Sequence, residues 1–367
     1  MASTKKVNYV SSKKVMNISK GAQYIIVYGA YSNGKSYAVK SGVVEECFKK
    51  DKKLAYIRRY QKEDSDANAE NYFLDCPVEQ ITGGEYTSII CFRHNLYFAN
   101  YDPNTAKYIK GQQLGRRFNL WEAFQTKSGV YPEMDFAIFE EFITAGEYLP
   151  QESYRLQRLL STICRNHDIK CFMVGNNITP VNPYYREFQL THAKDQKIGS
   201  VDTYKLKNKL PDGTETETVI KMYLTVPTNK RNNMLIGAVA REGHGGSFHV
   251  EEHNHLECRI QECKILYTMV ITYEGQTMLM QFIRDKSNSH MWYITPKTSR
   301  IQDKTRTIGQ LRTMSKYHTN QFTPLSEREA KMFQYLKIGK ICYMDNLTGT
   351  IFQQMYKGIE GAGFEME

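Results

Sequence analysis

Two glycines near the start of the chain stand five residues apart and are followed at once by a lysine and a serine. The stretch GAYSNGKS runs from Gly29 to Ser36 and fits the pattern G-x-x-x-x-G-K-[ST]. Glycines at this spacing let successive backbone N–H groups turn inward, where they can bind phosphate oxygens at the start of a helix. The Lys35 ammonium would face the γ-phosphate of a nucleoside triphosphate, and the Ser36 hydroxyl would bind Mg²⁺.

The glycine loop therefore predicts a site for ATP and Mg²⁺. A glycine-rich turn with an incidental lysine is the alternative, but the loop also follows an apolar, strand-like run and precedes a helix-like one. The residues predicted to bind nucleotide are Gly29, Ala30, Tyr31, Ser32, Asn33, Gly34, Lys35, Ser36 and Tyr37.

A pair of acids follows a second apolar run, in the stretch FAIFEE at 136–141. Ligands of open α/β sheets bind at the carboxyl ends of the strands, which is where these acids would lie. We assign Glu140 to the Mg²⁺ shell and Glu141 to orienting and deprotonating the attacking water. Adjacent acids often only end a strand in solvent, but a preceding phosphate-binding loop favours the functional interpretation.

Two further polar residues complete the candidate site. Arg165 closes a predicted helix in the stretch ICRN, either as a basic residue near a helix C-terminus or as an arginine finger that stabilises charge on the transferring phosphate. Asn176 ends the run CFMVGNN, where its amide could hydrogen-bond the γ-phosphate or the attacking water. The predicted catalytic residues are Lys35, Glu141, Arg165 and Asn176.

The elements that must position these residues read as strands alternating with helices. Short apolar runs predict strands at 23–28, 53–57, 135–139 and 170–174, and helical spacing predicts helices after the glycine loop and over 154–166. This order predicts an α/β fold with an open, mostly parallel sheet covered on both faces. Hairpin-like material within 80–130 predicts an insertion at the sheet edge.

The pattern changes around residue 190. We predict a β-hairpin over 203–226 with its turn at Pro211-Asp212-Gly213, then one basic helix over 228–243, and antiparallel strands from about residue 258. Three regions follow from this pattern: a nucleotide-binding domain at 1–190, a linker or lid at 191–255, and a smaller α+β domain at 256–367.

Composition and charge narrow the class of protein. The 367 residues are 41% apolar and 24% charged, which suits a soluble protein with two domains or one large one. The net charge of +10 favours acidic partners such as nucleic acid, although a generically basic protein is the alternative. No run approaches the roughly 20 apolar residues of a membrane span, and eight scattered cysteines fit reduced thiols. We expect a soluble, intracellular protein with no membrane partner.

Histidines and cysteines are concentrated within residues 244–263. This segment lacks the paired C-x₂-C and H-x₃₋₅-H spacing of zinc modules. A polar loop with incidental histidines is therefore favoured over a structural zinc site. The residues concerned are His244, His249, His253, His255, Cys258 and Cys263.

Taken together, the ordered motifs resemble the DNA-packaging ATPases of small protein-primed podophages, which are relatives of terminase large subunits. The similarity runs through the first half of the chain and continues more weakly beyond it. The matching stretches are GAYSNGKSYA at 29–38, YIRRY at 56–60, KSGVYP at 127–132, FAIFEEF at 136–142, CRN at 164–166 and VGNNITPVNPYY at 174–185.

The resemblance implies a ring, of five subunits, that docks on the portal of an empty procapsid in the host cytoplasm and drives double-stranded DNA inward with ATP. It leaves open whether a packaging RNA takes part. Arg165 corresponds to an arginine finger inserted into the neighbouring subunit's site. Arg58 and Lys127 fall at further basic positions near the subunit junction or the DNA channel.

Two departures from the family pattern bear on chemistry. Glu140 stands where the family usually has aspartate, one methylene shorter. The strand at 267–273 offers Thr268, Val270 and Thr272 where a ribonuclease-H-like nuclease presents an aspartate to metal. We therefore predict that 256–367 is a vestigial nuclease domain that binds nucleic acid or the procapsid and cuts nothing.

Two other functions compete with a packaging motor. A nucleotide-dependent phosphotransferase would need a site for a small substrate, and the sequence offers no sign of one. A nucleotide-gated DNA-binding or assembly protein would use ATP to order a ring without processive translocation.

Overall fold

The chain forms two compact units in the computed structural model. Unit 1 comprises Met1–Ile178 with His192–Phe248, and unit 2 comprises Thr179–Thr191 with His249–Glu367. The structure describes residues 8–123, 134–144, 148–164, 168–179, 181–190, 192–209, 212–228, 252–297, 304–310 and 315–361.

Unit 1 is built on one nine-stranded sheet. Its strands are β1 (Tyr24–Gly29), β2 (Leu54–Arg58), β3 (Ser88–Phe92), β4 (Asn95–Asp102), β5 (Lys107–Asn119), β6 (Phe136–Glu140), β7 (Lys170–Asn176), β8 (Val201–Lys209) and β9 (Glu215–Leu224). They lie in the order β3-β4-β5-β2-β6-β7-β1-β9-β8. The middle of the sheet, from β5 to β9, is parallel, and the outer pairs at both ends are antiparallel.

The register of the central strands brings three strand ends to one edge. Gly29 at the end of β1 pairs with Asn176 at the end of β7, and Glu140 at the end of β6 pairs with Val174. These strands are almost wholly buried, as expected where helices cover both faces of a parallel sheet. Polar residues that follow the apolar runs therefore meet at the carboxyl edge of this sheet.

Five helices of unit 1 are described: α1 (Ser12–Ile18), α2 (Lys35–Lys50), α3 (Asp66–Phe73), α4 (Val78–Thr82) and α5 (Glu152–Ile163). Helix α2 starts directly after the glycine loop and packs against the sheet through Val39, Val43 and Cys47, which are fully or almost fully buried. Helix α5 presents a leucine and isoleucine stripe at helical spacing to the interior.

The strands of unit 2 are β10 (Lys264–Tyr273), β11 (Gln276–Arg284), β12 (His290–Pro296), β13 (Arg306–Gly309), β14 (His318–Thr319) and β15 (Ile341–Tyr343). They form a six-stranded sheet in the order β14-β13-β10-β11-β12-β15. Strands β10 to β12 form an antiparallel meander, and β13, β14 and β15 each add in parallel to a neighbour. Its core is centred on the fully buried Trp292. Its described helices are α6 (Pro183–Glu187), α7 (Glu327–Lys337) and α8 (Asn346–Gly361).

The predicted α/β class with a mostly parallel sheet is confirmed, as are the four apolar strands β1, β2, β6 and β7. The insertion at the sheet edge is also confirmed, since β3 and β4 form that edge. The hairpin β8–β9 and the antiparallel strands from β10 onward lie where they are predicted. The predicted basic helix begins at Thr228, and its remaining residues lie outside the described ranges. Within the described ranges, no helix is long and apolar enough to cross a membrane.

The chain divides differently from the three predicted regions. The range 191–255, predicted as a linker or lid, contributes β8 and β9 to the large sheet, because β9 pairs with β1 from Tyr24 to Tyr28. The segment 179–191 is part of unit 2, although almost all of it falls within the predicted domain 1–190, because Val181 packs into the core of unit 2. The boundary near 255 is close to the start of the main part of unit 2 at His249.

Candidate nucleotide-binding site

The glycine loop joins β1 to α2 through backbone angles that favour glycine. Gly29 has φ +143° and Gly34 has φ +83°, both in the positive region that L side chains rarely adopt. Gly34 is the N-cap of α2 and carries no side chain that could satisfy the first N–H groups of the helix. Those donors and the positive end of a 16-residue helix therefore face the loop.

Hydrogen bonds from the residues that follow strand β9 hold the loop in place. The buried Asn33 donates from Nδ2 to Thr225 Oγ1 at 2.6 Å and to Val226 O at 3.3 Å. Thr225 Oγ1 in turn donates to Tyr28 O at 2.9 Å. A Cβ atom at Gly29 would lie 2.4 Å from Thr225 Oγ1, so glycine is needed there for close approach as well as for φ. Thr225 escapes sequence reasoning because only the pairing of β9 with β1 brings it here.

Lys35 lies inside the loop and is 5% exposed. Its Nζ donates to Ala30 O at 2.5 Å, to Asn33 Oδ1 at 3.2 Å and to Asn176 Oδ1 at 3.1 Å. All of these acceptors are neutral. Burial lowers the pKa of Lys35 to about 8, and the nearby Glu140 carboxylate opposes that shift.

Ser36 and Glu140 form a hydroxyl–carboxylate pair beside the loop. Ser36 Oγ donates to Glu140 Oε2 at 3.1 Å, and Tyr72 OH donates to Glu140 Oε1 at 2.6 Å. Glu140 is 6% exposed, and this burial raises its pKa against the opposing hydrogen bonds from Tyr72 and Ser36. No sequence signal identifies Tyr72, because a tyrosine in the last turn of a short helix is unremarkable by itself.

Glu141 follows Glu140 and pairs with an arginine. Its backbone has φ +58°, which places the chain in a sharp turn after β6. Arg58 Nη2 donates to Glu141 Oε2 at 3.1 Å and also pairs with Glu63 at 3.3 Å. Arg58 thus has carboxylate partners within its own chain.

Arg59 holds the turn after β6 by hydrogen bonds to its backbone. Its Nη1 donates to Glu141 O at 2.9 Å and its Nη2 to Phe142 O at 3.0 Å. Its Nε donates to Glu152 Oε2 at 2.8 Å, and both side chains of this ion pair are buried. In sequence Arg59 resembles its neighbour Arg58, so its structural role could not be predicted.

The structure thus forms two adjacent hydrogen-bonded groups beside the loop, Lys35 with Asn176 and Ser36 with Glu140. Together they make up the candidate cluster, and Glu141 pairs with Arg58 instead. Of the other loop residues, Ala30 is buried, whereas Ser32 and Tyr37 are exposed and Tyr31 is half-buried. Arg165 and Lys127 lie outside the described residues.

The histidine and cysteine segment shows no metal arrangement in its described part. His253 and His255 are hydrogen-bonded to Thr350 and Asn346, and the sulfurs of Cys258 and Cys263 lie 3.4 Å apart. Across the residues that the structure describes, no group of three or more histidine, cysteine, aspartate or glutamate side chains could hold a metal ion. His244 and His249 lie outside those residues.

The sequence model of the family described as Podovirus DNA encapsidation protein (Gp16) matches residues 4–219 of this chain. A DNA packaging protein of Bacillus phage phi29 is 27% identical over 198 residues, which cover 53% of this chain and 54% of that protein. A DNA packaging protein of Bacillus phage B103 is 29% identical over 175 residues, which cover 45% and 47% respectively. The chain therefore spans about half the length of these relatives.

Two solved structures share the fold over nearly the whole chain. The viral genome packaging motor assembly of bacteriophage Phi-29 is similar with a TM-score of 0.57 and 18% identity, covering 96% of this chain and 99% of that one. The Phi-28 gp11 DNA packaging motor gives a TM-score of 0.52 and 14% identity, with 98% of each chain covered. At these identities the likeness concerns the fold alone.

Proposed function

Because this chain belongs to the family of Podovirus DNA encapsidation proteins (Gp16), we propose that it is an ATPase that drives double-stranded viral DNA into a procapsid through the portal. The cluster of Lys35, Ser36, Glu140 and Asn176 at the carboxyl edge of the large sheet carries this proposal. The relatives from phages phi29 and B103 are DNA packaging proteins, and a phosphate-binding loop would supply such a protein with chemical energy.

The polar groups around the loop suit a magnesium ion and a triphosphate. Ser36 and Glu140 offer adjacent hydroxyl and carboxylate oxygens, which are the ligands that Mg²⁺ prefers. Lys35 would exchange its neutral acceptors, Ala30 O and Asn176 Oδ1, for phosphate oxygens. Bound ATP supplies the phosphoanhydride bond, and Mg²⁺ neutralises charge on its phosphates.

Glu141 would act as the general base once it leaves Arg58. As placed, its carboxylate accepts from Arg58 and is 60% exposed at the side chain. A base must lie within hydrogen-bond reach of the water that it deprotonates, although such contacts often tighten only in the substrate complex. Arg59 holds the backbone of the turn, so the Glu141 carboxylate would be redirected by rotation of its side chain.

A ring of subunits would complete the site. Arg165 would enter the neighbouring subunit's site and stabilise charge on the transferring phosphate. Head-to-tail interfaces of this kind close into a ring when the rotation between subunits permits, and we propose five subunits. The ring would dock on the portal of the procapsid in the host cytoplasm, and a packaging RNA could lie between them.

Unit 2 would serve as the vestigial nuclease-like module that binds nucleic acid or the procapsid. Its strand β10 carries threonine and valine where a two-metal nuclease needs carboxylates. Duplex DNA should therefore survive incubation with the full chain and Mg²⁺ or Mn²⁺.

Steady-state ATP hydrolysis, with and without duplex DNA and portal-bearing procapsids, tests the proposal. A motor should hydrolyse ATP faster when both are present and should protect DNA from added nuclease as it enters the capsid. A nucleotide-gated assembly protein would bind ATP and DNA without such protection, and a phosphotransferase would turn over independently of both. Lys35→Ala is the matched control, since it should lose triphosphate binding and all stimulated hydrolysis.

A further inference from the structure

The carboxyl edge of the sheet in unit 2 is filled by protein side chains. Glu274 follows β10 and is 8% exposed, and Gln310 follows the parallel strand β13. Arg186 Nη1 donates to Gln310 Oε1 at 2.6 Å and pairs with Glu274 Oε2 at 3.3 Å. Between the two strands, a Cβ atom at Gly309 would lie 2.1 Å from Thr272 O. The edge where open sheets usually bind ligands is therefore closed here.

The amino-terminal ends of the same two strands are open instead. A cavity of about 690 Å³ lies beside the first half of β10 and the start of β13. Among the described residues that line it, Leu325 is the sole aliphatic one. The cavity is lined by Tyr267, Thr268, Lys304, Thr305, Arg306, Lys316, Tyr317, Leu325 and Glu329.

Two of the charged lining residues neutralise each other. Arg306 Nε donates to Glu329 Oε1 at 3.2 Å and to Oε2 at 3.3 Å, and both side chains are buried. The other nitrogens of Arg306 donate to backbone carbonyls and to Thr319. Glu329 also accepts from Tyr267 OH and Leu325 N. This pair is structural and contributes no net charge to the cavity.

Lys304 and Lys316 are the other two cations of the described lining. Both are exposed, and neither ammonium has a carboxylate partner among the described residues. Lys316 Nζ lies 5.2 Å from the ring centroid of Tyr317. The cavity therefore combines these two cations with the hydroxyl groups of Thr268 and Thr305.

We propose that this cavity binds phosphodiester groups of a nucleic-acid strand, with Lys304 and Lys316 as the cations that contact the backbone. An apolar protein segment is a poor occupant, because the described lining is mostly polar and offers a single aliphatic side chain. The space is several times larger than one phosphate group needs, so a chain of nucleotides fits better than an isolated ion. The inference rests on the proposed function, which makes nucleic acid the cargo of this protein.

Unit 2 would thereby bind nucleic acid at the edge opposite to the closed one. Contacts from two lysines to the backbone carry no sequence information, which suits a protein that must pass a whole genome. The tyrosine rings of the lining can pack against sugars or exposed bases without base specificity.

The test compares two double variants of the full-length chain. Lys304→Glu/Lys316→Glu changes the cavity, and Lys331→Glu/Lys337→Glu places the same charge change on exposed lysines of α7 that do not line it. Binding of fluorescein-labelled duplex DNA and of an RNA strand of equal length is measured by anisotropy at several salt concentrations. The cavity variant should weaken binding far more than the control and lower the log–log salt slope by about 0.9 for each phosphate that the protein no longer neutralises.

Equal weakening by both variants would mean that net charge alone matters and would overturn the proposal. A small phosphate-containing ligand is the alternative to a nucleic-acid backbone, and calorimetry with inorganic pyrophosphate tests it. Pyrophosphate binding that disappears in the cavity variant, with unchanged nucleic-acid affinity, would show a small-ligand site instead. Lys304→Gln/Lys316→Gln, which adds no acid, replaces the glutamate variant if that one fails to fold.

The proposed function can fail separately. Hydrolysis of ATP without nucleic acid should be unchanged in the cavity variant, because no residue of the loop cluster is altered. The wild-type protein could hydrolyse no ATP while the cavity variant still binds nucleic acid more weakly than wild type. That result would refute the motor and support the nucleic-acid site at Lys304 and Lys316.

Discussion

The carboxyl edges of the two sheets both hold buried charge, and they treat it in opposite ways. In unit 1, Lys35 and Glu140 make their hydrogen bonds to neutral groups: carbonyls, amides, a serine hydroxyl and a phenol. In unit 2, Glu274 is matched directly by the guanidinium of Arg186.

The difference shows what a site for a charged ligand requires. Neutral partners hold a buried ion in place without cancelling its charge, and a low-dielectric setting strengthens its attraction to an incoming ligand. A matched ion pair leaves little attraction for anything else. The edge of unit 1 is therefore suited to a metal–phosphate ligand, whereas the buried charge at the edge of unit 2 is already paired within the protein.

The largest expected effect concerns Arg165, which lies outside the residues that the structure describes. We expect Arg165→Ala to bind ATP normally and to lose about 10³–10⁵ in hydrolysis rate, as arginine fingers do in other P-loop enzymes. Mixing it with Glu141→Gln subunits should restore some activity, because a neighbouring pair then combines a sound Glu141 with a sound Arg165. Intact rings without restored ATPase activity in a titration of the two variants would place Arg165 within its own subunit or outside the chemistry.

Glu141 and Glu274 offer a direct comparison of the two edges. Glu141→Gln should keep ATP affinity and lose about 10²–10⁴ in turnover, because an amide cannot accept a proton from water. Glu274→Gln should leave single-turnover hydrolysis unchanged, since that carboxylate is committed to Arg186. Comparable losses from both variants would mean that the two edges do not differ as described.

Sequence reasoning could place Lys35, Ser36, Glu140 and Asn176 together because strands of a parallel sheet end at the same edge. It could not find Thr225, which is almost 200 residues from the loop and reaches it only because β9 pairs with β1. Tyr72 and Arg59 were equally hidden, since a helix tyrosine and one of two adjacent arginines carry no spacing signal.

The same limit explains the domain boundaries. The hairpin β8–β9 could be predicted from its own alternation and turn residues. Its membership of the large sheet depends on long-range pairing that local patterns do not encode. Arg186 likewise resembles any surface arginine until β10 and β13 are seen to end beside it.

A smaller effect is expected from the pH dependence of Lys35. Because its pKa in the fold is about 8, ATP affinity should fall as pH rises through that value, approaching about tenfold per pH unit where the free lysine is neutral. Stability should respond in the opposite direction. Lysine in the unfolded chain has a pKa of about 10.4, so the unfolded state binds more protons between about 8 and 10.4 and Lys35 adds stability as pH rises there.

Nucleotide titrations from pH 7 to 9.5 measure the first effect, and thermal unfolding over the same range measures the second. Lys35→Ala is the control for the unfolding measurement, and the pH dependence of its stability should flatten. An ATP affinity that is independent of pH in the wild-type protein would place the Lys35 ammonium away from the phosphates.

The smallest expected effect tests the closed edge of unit 2. Arg186→Met should destabilise unit 2, because Glu274 stays buried with its pKa already raised by burial and loses the cation that opposes that shift. Arg186 is 38% exposed at the side chain, so solvent screens the pair and we expect a loss of only about 1 kcal/mol. The loss should grow as pH rises above the ordinary pKa of a glutamate, since the folded state then holds a more costly ionised carboxylate.

Hydrogen exchange of β10 and β13 amides measures the change in the stability of unit 2. Adding Glu274→Gln should recover most of the stability, because a neutral amide can keep the contact with Gln310 without a counter-ion. If Arg186→Met instead changed ATP affinity and left β10 exchange untouched, the pair would belong to the chemistry of unit 1 and the contrast between the two edges would fail.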